Sequence, residues 1–125
     1  MTVVLDAGAL VAIERRDMDF IAYLRAAQRR KIPIRTSAAV VAQVWRDDAR
    51  QAELARQLPA INQRPLDSDT ARAIGRLLGE SRTADVVDGH VALLCAPGDT
   101  VFTSDTGDVQ HLLDSRRVTA LVERV

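Results

Sequence analysis

Two aspartates stand directly after short apolar segments that are rich in β-branched residues. Asp6 follows "TVVL" and Asp105 follows "TVFTS", and both segments have the composition of buried strands. If the two strands are parallel neighbours, their carboxyl ends lie on the same edge of the sheet, about 5 Å apart. Because open α/β sheets bind their ligands at that edge, the two carboxylates are candidates for a functional site.

Further acids are expected close to these two. Asp85 and Asp88 fall in the first turn of a helix that leads into the second strand, and Asp108 follows Asp105 by three residues. A right-handed crossover starts this helix on the edge where the strands end. Crowded carboxylates do not all stay ionised without a cation, and all-oxygen ligation favours Mg²⁺ or Mn²⁺. The spacing therefore predicts a divalent-metal site formed by Asp6, Asp88 and Asp105, which Asp108 could join.

Each of these acids also has a purely structural role open to it. Aspartate is favoured just before a helix, where its side chain accepts backbone N–H bonds, and in the first turn, where the helix dipole favours negative charge. Capping is favoured for Asp85 and metal binding for Asp88. Both roles stay open for Asp6, Asp105 and Asp108.

The elements that must position these acids alternate along the chain. Strands are predicted at 2–6, 32–36, 61–66, 100–103 and 118–125, and Pro65 confines the third to an edge or to a strand end. Helices are predicted near 8–14, 17–31, 37–45, 49–58, 67–81, from 86 onward, and at 106–114. This alternation indicates parallel pairing through right-handed crossovers. The predicted fold class is α/β, a single three-layer domain over residues 1–125 with a mostly parallel central sheet flanked by helices.

The composition fits a folded domain without a dominant charge. Hydrophobic residues make up 47% of the 125 positions and aromatic residues only 3%, so an aliphatic core is expected. The 17 basic and 17 acidic residues cancel, which gives no overall attraction to nucleic acid. One cysteine cannot form an internal disulfide, and the chain shows neither a leader pattern nor an apolar stretch that could span a bilayer. A cytoplasmic protein without membrane contact is the expectation.

Four segments of the chain resemble, in order and separation, the blocks of PIN-domain ribonucleases, and most closely those of VapC-type toxins of bacterial toxin–antitoxin modules. The segments are "VVLDAGAL", "TSAAVVAQVWR", "DVVDGHVALLC" and "VFTSDTGDVQHLL", and together the likeness covers nearly the whole chain. The resemblance implies a parallel sheet flanked by helices and an Mg²⁺- or Mn²⁺-dependent endoribonuclease that cleaves RNA. It also implies a homodimer and inhibition by a cognate VapB-type antitoxin, which inserts a segment near the site.

Position by position, the resemblance assigns catalytic and metal-binding roles to acids of three blocks. The first-strand acid is Asp6, the acid of the helix block is Asp88, and the acid of the last block is Asp105, with Asp108 as an accessory ligand. Most members carry a glutamate in the second block, and the matching residue here is Gln43. A glutamine offers a metal only a neutral carbonyl oxygen or holds a ligated water, so this departure concerns metal affinity more than fold.

Other residues extend the predicted site. Asp47, one helical turn after this glutamine, is a candidate to substitute for it in part, although an ordinary surface acid is the simpler role. Ser104 and Thr103, beside Asp105, are candidates to orient a ligand or a water molecule. Arg46 is a candidate to bind the backbone of an RNA substrate.

Two other classes of protein share some of these features. Receiver domains have a similar length and carboxylates at strand ends, but they require a lysine at the end of a late strand, and the single lysine here is Lys31. A PIN-like protein-binding module with a weakened or inactive metal site is the alternative that Gln43 supports. The sequence thus predicts a ribonuclease and leaves the binding module open.

Overall fold

Five short parallel strands form the centre of the computed structural model, which describes residues 1–125. The strands are β1 (Val3–Leu5), β2 (Ile34–Ser37), β3 (Asn62–Arg64), β4 (Thr100–Thr103) and β5 (Leu121–Arg124). Their order across the sheet is β3-β2-β1-β4-β5, and every neighbouring pair is parallel. The predicted α/β class is therefore confirmed, and the sheet is parallel throughout.

Helices connect the strands and cover the sheet. They are α1 (Ala7–Glu14), α2 (Met18–Arg29), α3 (Ala38–Val44), α4 (Ala52–Gln57), α5 (Ser68–Ser81), α6 (Val86–Leu94) and α7 (Thr106–Arg116), with a 3₁₀ turn at Leu58–Ala60. Helices α2, α3 and α4 each contact α1, whereas α5, α6 and α7 contact one another. The chain runs across the sheet from β1 to β3 in one direction and then from β3 to β5 in the other. Because the crossovers are right-handed, the two groups of helices lie on opposite faces of the sheet. None of these helices combines the length and the apolar character that crossing a membrane requires.

Side-chain caps fix the start of most helices, as the sequence predicts. At five helices the residue before the first turn accepts a backbone N–H bond from that turn, which satisfies a donor that has no partner within the helix. These capping residues are Asp6, Asp17, Ser37, Asp67 and Asp85.

The core is aliphatic and is centred on β1. Val3, Val4 and Leu5 are fully buried because β1 lies in the middle of the sheet with helices on both faces. Cys95 also lies in this core, where burial raises the pKa of its thiol to about 12. Packing is therefore the role of this cysteine.

The predicted position of Asp47 on α3 is wrong. The helix ends at Val44, close to its predicted end, so Asp47 lies in the turn beyond the helix and not one turn further along it. The buried Gln51 causes this end, because its amide donates to the Val44 carbonyl at 2.7 Å and accepts from the N–H groups of Arg46 and Asp47 at 2.7 and 3.1 Å. A side chain thus satisfies the backbone groups that another helical turn would have used.

Two other boundaries differ for local reasons. The helix predicted at 49–58 begins only at Ala52 and passes into the 3₁₀ turn, where Pro59 lacks the N–H that would continue α4. Strand β5 begins at Leu121, not at 118, because the Val118 N–H still bonds to the Leu113 carbonyl and closes the end of α7.

Candidate active site

The pairing of β1 with β4 brings two of the predicted acids to one edge of the sheet. Leu5 lies opposite Phe102 in the parallel ladder, and the Asp6 N–H donates to the Phe102 carbonyl at 3.0 Å. Asp105 follows the end of β4 by two residues. The two strands are therefore neighbours, as the sequence predicts, and both acids leave the sheet on the same side.

A threonine hydroxyl links these two acids. Thr103 is fully buried, and its Oγ1 donates to Asp6 Oδ2 at 2.7 Å while it accepts the Asp105 N–H at 2.9 Å. The other oxygen of Asp6, Oδ1, accepts the Ala7 N–H at 2.7 Å. Asp6 is only 3% exposed, so these bonds hold its carboxylate in one orientation at the sheet edge. The sequence predicts that Thr103 orients a ligand or a water molecule. In the structure its hydroxyl orients the carboxylate of Asp6.

Helix α6 carries a buried carboxylate to the same edge. Its capping residue Asp85 accepts the Asp88 N–H at 2.9 Å, as predicted, and α6 packs against both β1 and β2. Asp88 is 9% exposed, and its carboxylate accepts no hydrogen bond from the protein. Its carboxylate oxygens stay in contact with solvent and line a cavity at this edge. Asp88 is therefore a largely buried acid whose carboxylate has no protein donor.

Helix α7 supplies the remaining acids. Asp108 lies in its first turn and lines, together with Asp85 and Asp88, a cavity of about 130 Å³ between α6 and α7. Asp105 stands at the capping position of α7 but makes no cap bond, so capping does not account for its side chain. The carboxylates of Asp105 and Asp108 are exposed and are free to turn toward a ligand.

Burial and neighbouring acids raise the pKa of Asp88 and of Asp6. Burial, followed by repulsion from Asp85, Asp6, Asp105 and Asp108, raises the pKa of Asp88 to about 7. For Asp6, burial is again the largest cause of a raised pKa, and repulsion from Asp105 and Asp85 adds to it. The hydrogen bonds that Asp6 accepts oppose this rise only in part.

No basic side chain neutralises this group of acids. The ion pairs of the chain are Arg56–Glu53 and Arg72–Asp69, and neither includes an acid of this group. The donor set therefore fits a hard divalent cation, which prefers carboxylate oxygens and would offset their repulsion. The side chains are not drawn together into a finished centre, because no three Asp, Glu, His or Cys side chains are grouped closely enough to hold a metal as they stand. Binding would require the unbonded carboxylates of Asp105 and Asp108 to rotate inward.

The residues predicted from the second block make no hydrogen bond to these acids. Gln43 is exposed on α3 and makes no hydrogen bond. Asp47 lies beyond the helix and accepts the N–H of the second residue after it at 2.8 Å, so the helical-turn reason for its substitution is wrong. The Arg46 guanidinium donates to two carbonyls of its own segment, at 3.2 and 2.5 Å. The role of Arg46 in substrate binding stays a prediction.

Two features beside Asp105 complete the site. Ser104 is exposed and lies against Gly8, where an added Cβ would come within 2.9 Å of its Oγ. Arg124 donates to the Ser104 carbonyl and to Thr106 Oγ1, both at 2.8 Å, and so holds the loop that carries Asp105. Arg124 was not predicted from the sequence, where its only signal is its position at the end of the last predicted strand.

The histidines lie outside the acidic group. His90 is buried, and its Nδ1 lies 2.6 Å from Ser37 Oγ. His111 is exposed and donates from Nε2 to the Ser81 carbonyl at 2.8 Å. Neither histidine is placed as a ligand beside the acids.

Comparison with known proteins supports the fold. No family model matches the chain, and no curated protein matches it in sequence. Among solved structures, the chain is similar to one in the crystal structure of VapBC2 from Rickettsia felis bound to a DNA fragment from their promoter. The TM-score is 0.68 at 15% sequence identity, over 100% of this chain and 99% of that chain. This likeness confirms the fold that the four sequence blocks imply: the chain has a PIN-like α/β fold.

Proposed function

We propose that this chain is an Mg²⁺- or Mn²⁺-dependent endoribonuclease and the toxin of a VapBC-type toxin–antitoxin pair. The observation that carries the chemistry is Asp88, which lies near four other acids and whose carboxylate opens on a cavity without a hydrogen bond or a cation from the protein. Crowded carboxylates repel one another, and a divalent cation offsets that repulsion. The four sequence blocks and the PIN-like fold support hydrolysis of RNA as the reaction.

The residues have distinct roles in this proposal. Asp6, Asp88 and Asp105 would hold the cation, with Asp108 as a further ligand. When bound, Mg²⁺ lowers the pKa of a bound water and stabilises charge on the attacked phosphate. Thr103 fixes the orientation of Asp6, and the carboxyl of Asp88 gives up a proton near pH 7 before it can act as a ligand.

Substitution of Asp6 tests the ribonuclease proposal. Asp6→Asn keeps one oxygen to accept the Ala7 N–H, turns an NH₂ that can donate toward Thr103 Oγ1, and removes the charge. The protein should therefore keep its circular dichroism spectrum and lose Mg²⁺-dependent cleavage of single-stranded RNA. Asp48→Asn is the matched control, because Asp48 is exposed and accepts no hydrogen bond. Full activity of Asp6→Asn with Mg²⁺, or equal cleavage in chelator, would refute the assignment.

A protein partner follows from the same proposal. The similar solved structure is a VapBC2 complex, and we propose that this chain likewise binds a VapB-type antitoxin and forms a homodimer. Expression of the native operon with a tag on this chain should co-purify a small DNA-binding protein. Its absence would refute the antitoxin proposal.

The alternative is a PIN-like protein-binding module with a weakened metal site. Exposed Gln43 in place of a glutamate favours it, as does the absence of a closed ligand set around the acids. Calorimetric titration with Mn²⁺, followed by a cleavage assay, separates the two functions. A chain that binds the antitoxin but neither binds Mn²⁺ nor cleaves RNA would be the binding module.

A further inference from the structure

The carboxyl edge of the sheet carries an arginine at each end. Arg64 is the last residue of β3 and Arg124 the last residue of β5, and these are the two edge strands. The strand register places Arg64 level with Ser37 and Arg124 level with Thr103. The acids leave from β1 and β4, which lie between the edge strands. A positively charged side chain therefore lies at each end of this edge, and the acids lie between the two.

The spacing of the strands sets the distances between the two arginines and the acids along this edge. Neighbouring strands lie about 4.8 Å apart, so β3 is about 10 Å from β1, and β5 is about 5 Å from β4. One extended strand of nucleic acid laid along the edge would pass both arginines and the acids between them.

Both guanidinium groups have donors available for a ligand. Neither arginine belongs to an ion pair of the chain, and the Arg64 side chain makes no hydrogen bond, which leaves all five of its N–H groups free. Arg124 uses two N–H groups on Ser104 and Thr106, and three remain. Because those two bonds fix the guanidinium beside Asp105, little side-chain freedom is lost when it binds a phosphate.

A buried histidine lies beside Arg64. A cavity of about 280 Å³ is lined by Arg64 and by His90. His90 Nδ1 lies 2.6 Å from Ser37 Oγ, and its Nε2 has no partner in the protein. In the tautomer that carries its proton on Nε2, His90 has a donor available in addition to the guanidinium of Arg64.

We propose that Arg64 and Arg124 bind RNA phosphates on either side of the acidic site and so place the intervening phosphate over the acids. This inference rests on the proposed ribonuclease function and names how its substrate is held. A guanidinium binds phosphate oxygens through paired N–H bonds. Since the chain has zero net charge, it offers no general attraction for RNA, and the acids alone would repel it. Local cations at both ends of the edge offset that repulsion.

RNA binding without metal tests the inference. The full chain is titrated, in chelator, into a fluorescein-labelled single-stranded RNA over a range of about 50–200 mM salt. Arg64→Ala and Arg124→Ala should each weaken binding on the order of 5-fold at about 0.1 M salt and lower the slope of log K against log[salt] by about 0.7. In the double variant the slope should decrease by about twice as much as in either single variant. Arg124→Lys keeps the charge and should keep most of the slope.

Arg30→Ala is the matched control. Arg30 is exposed, belongs to no ion pair and precedes β2, which places it toward the opposite edge of the sheet. Its RNA affinity should equal that of the wild type. If Arg64→Ala and Arg124→Ala bind RNA as Arg30→Ala does, or if the wild type binds none, the inference is overturned.

The two proposals fail in different ways. If the ribonuclease function is wrong, no cleavage occurs with Mg²⁺ or Mn²⁺, while RNA binding still depends on the two arginines. If the inference is wrong, the wild type cleaves RNA and the arginine variants keep its KM. When both hold, Arg64→Ala and Arg124→Ala raise KM more than they lower kcat, because they remove binding that substrate and transition state share.

Discussion

Asp88→Asn should make the metal-free protein more stable at pH 8, although the change is at a buried position. Burial and the neighbouring acids raise the pKa of Asp88 from 3.8 to about 7 in the folded state. In the unfolded chain Asp88 loses its proton near pH 4, so between about pH 4 and 7 the folded state binds more protons than the unfolded state. The free energy of unfolding therefore falls as the pH rises through this range and stays at its lower value above it.

The magnitude follows from the size of the pKa change. A pKa raised by about 3 corresponds to about 4 kcal/mol, and screening by solvent in the adjoining cavity lowers this to about 2–3 kcal/mol. Asparagine is neutral at every pH, so Asp88→Asn should regain most of the unfolding free energy that the wild type loses at pH 8. For a domain of this length 1 kcal/mol moves the melting temperature by about 4 °C, so Asp88→Asn should melt about 8–12 °C above the wild type at pH 8. Near pH 4 the difference should almost vanish.

Thermal unfolding in chelator, followed by circular dichroism from pH 4 to pH 9, measures this effect. Asp48→Asn makes the same chemical change at an exposed position and should leave the pH profile unchanged. Saturating Mg²⁺ should stabilise the wild type at pH 8 and stabilise Asp88→Asn much less. If Asp88→Asn melts at or below the wild-type temperature at pH 8 in chelator, the reasoning about the uncompensated carboxylate is refuted.

Two further substitutions test the framework of the site. Thr103→Val removes the hydroxyl that binds Asp6, so it should lower the free energy of unfolding by about 1–3 kcal/mol and reduce Mg²⁺-dependent cleavage, whereas Thr103→Ser should keep both. Urea unfolding and cleavage rates check this, and wild-type behaviour of Thr103→Val would contradict it. Gly8→Ala brings a Cβ to 3.0 Å from the Ser104 backbone nitrogen and should destabilise by about 1–3 kcal/mol. Gly75→Ala, with nothing within 4 Å, should instead stabilise α5 by up to about 1 kcal/mol, and equal effects in urea would contradict the close approach at Gly8.

Much of the fold was predictable because its signals are local. The segment before Asp6 is apolar and β-branched, Pro65 limits its strand to an edge, and Asp67 begins a helix, all of which the structure bears out. The position of Asp47 beyond α3 was not predictable, because the side chain of Gln51 satisfies the backbone groups that another helical turn would have used. The 3₁₀ turn that follows α4 depends on how Pro59 is accommodated there.

The site was predictable to the extent that topology alone determines it. Parallel pairing puts Asp6 and Asp105 on one edge whatever the loops do, and a right-handed crossover brings Asp88 to that edge. The strand order is not written in the sequence, and until it is known Arg64 and Arg124 look like any charged surface residues. The lack of a hydrogen-bond partner for Asp88 is likewise visible only once the packing around it is known.

The bond between Thr103 and Asp6 joins residues that are 97 positions apart in the chain. Strand β1 can pair with β2 once residue 37 has been synthesised, but its pairing with β4 closes a loop of most of the domain. Such non-local pairing is slow, because the entropy of loop closure is lost before the contacts form. The acids therefore meet late in folding, and a nascent or partly folded chain keeps them apart. Whatever chemistry these acids support is confined to the completed domain.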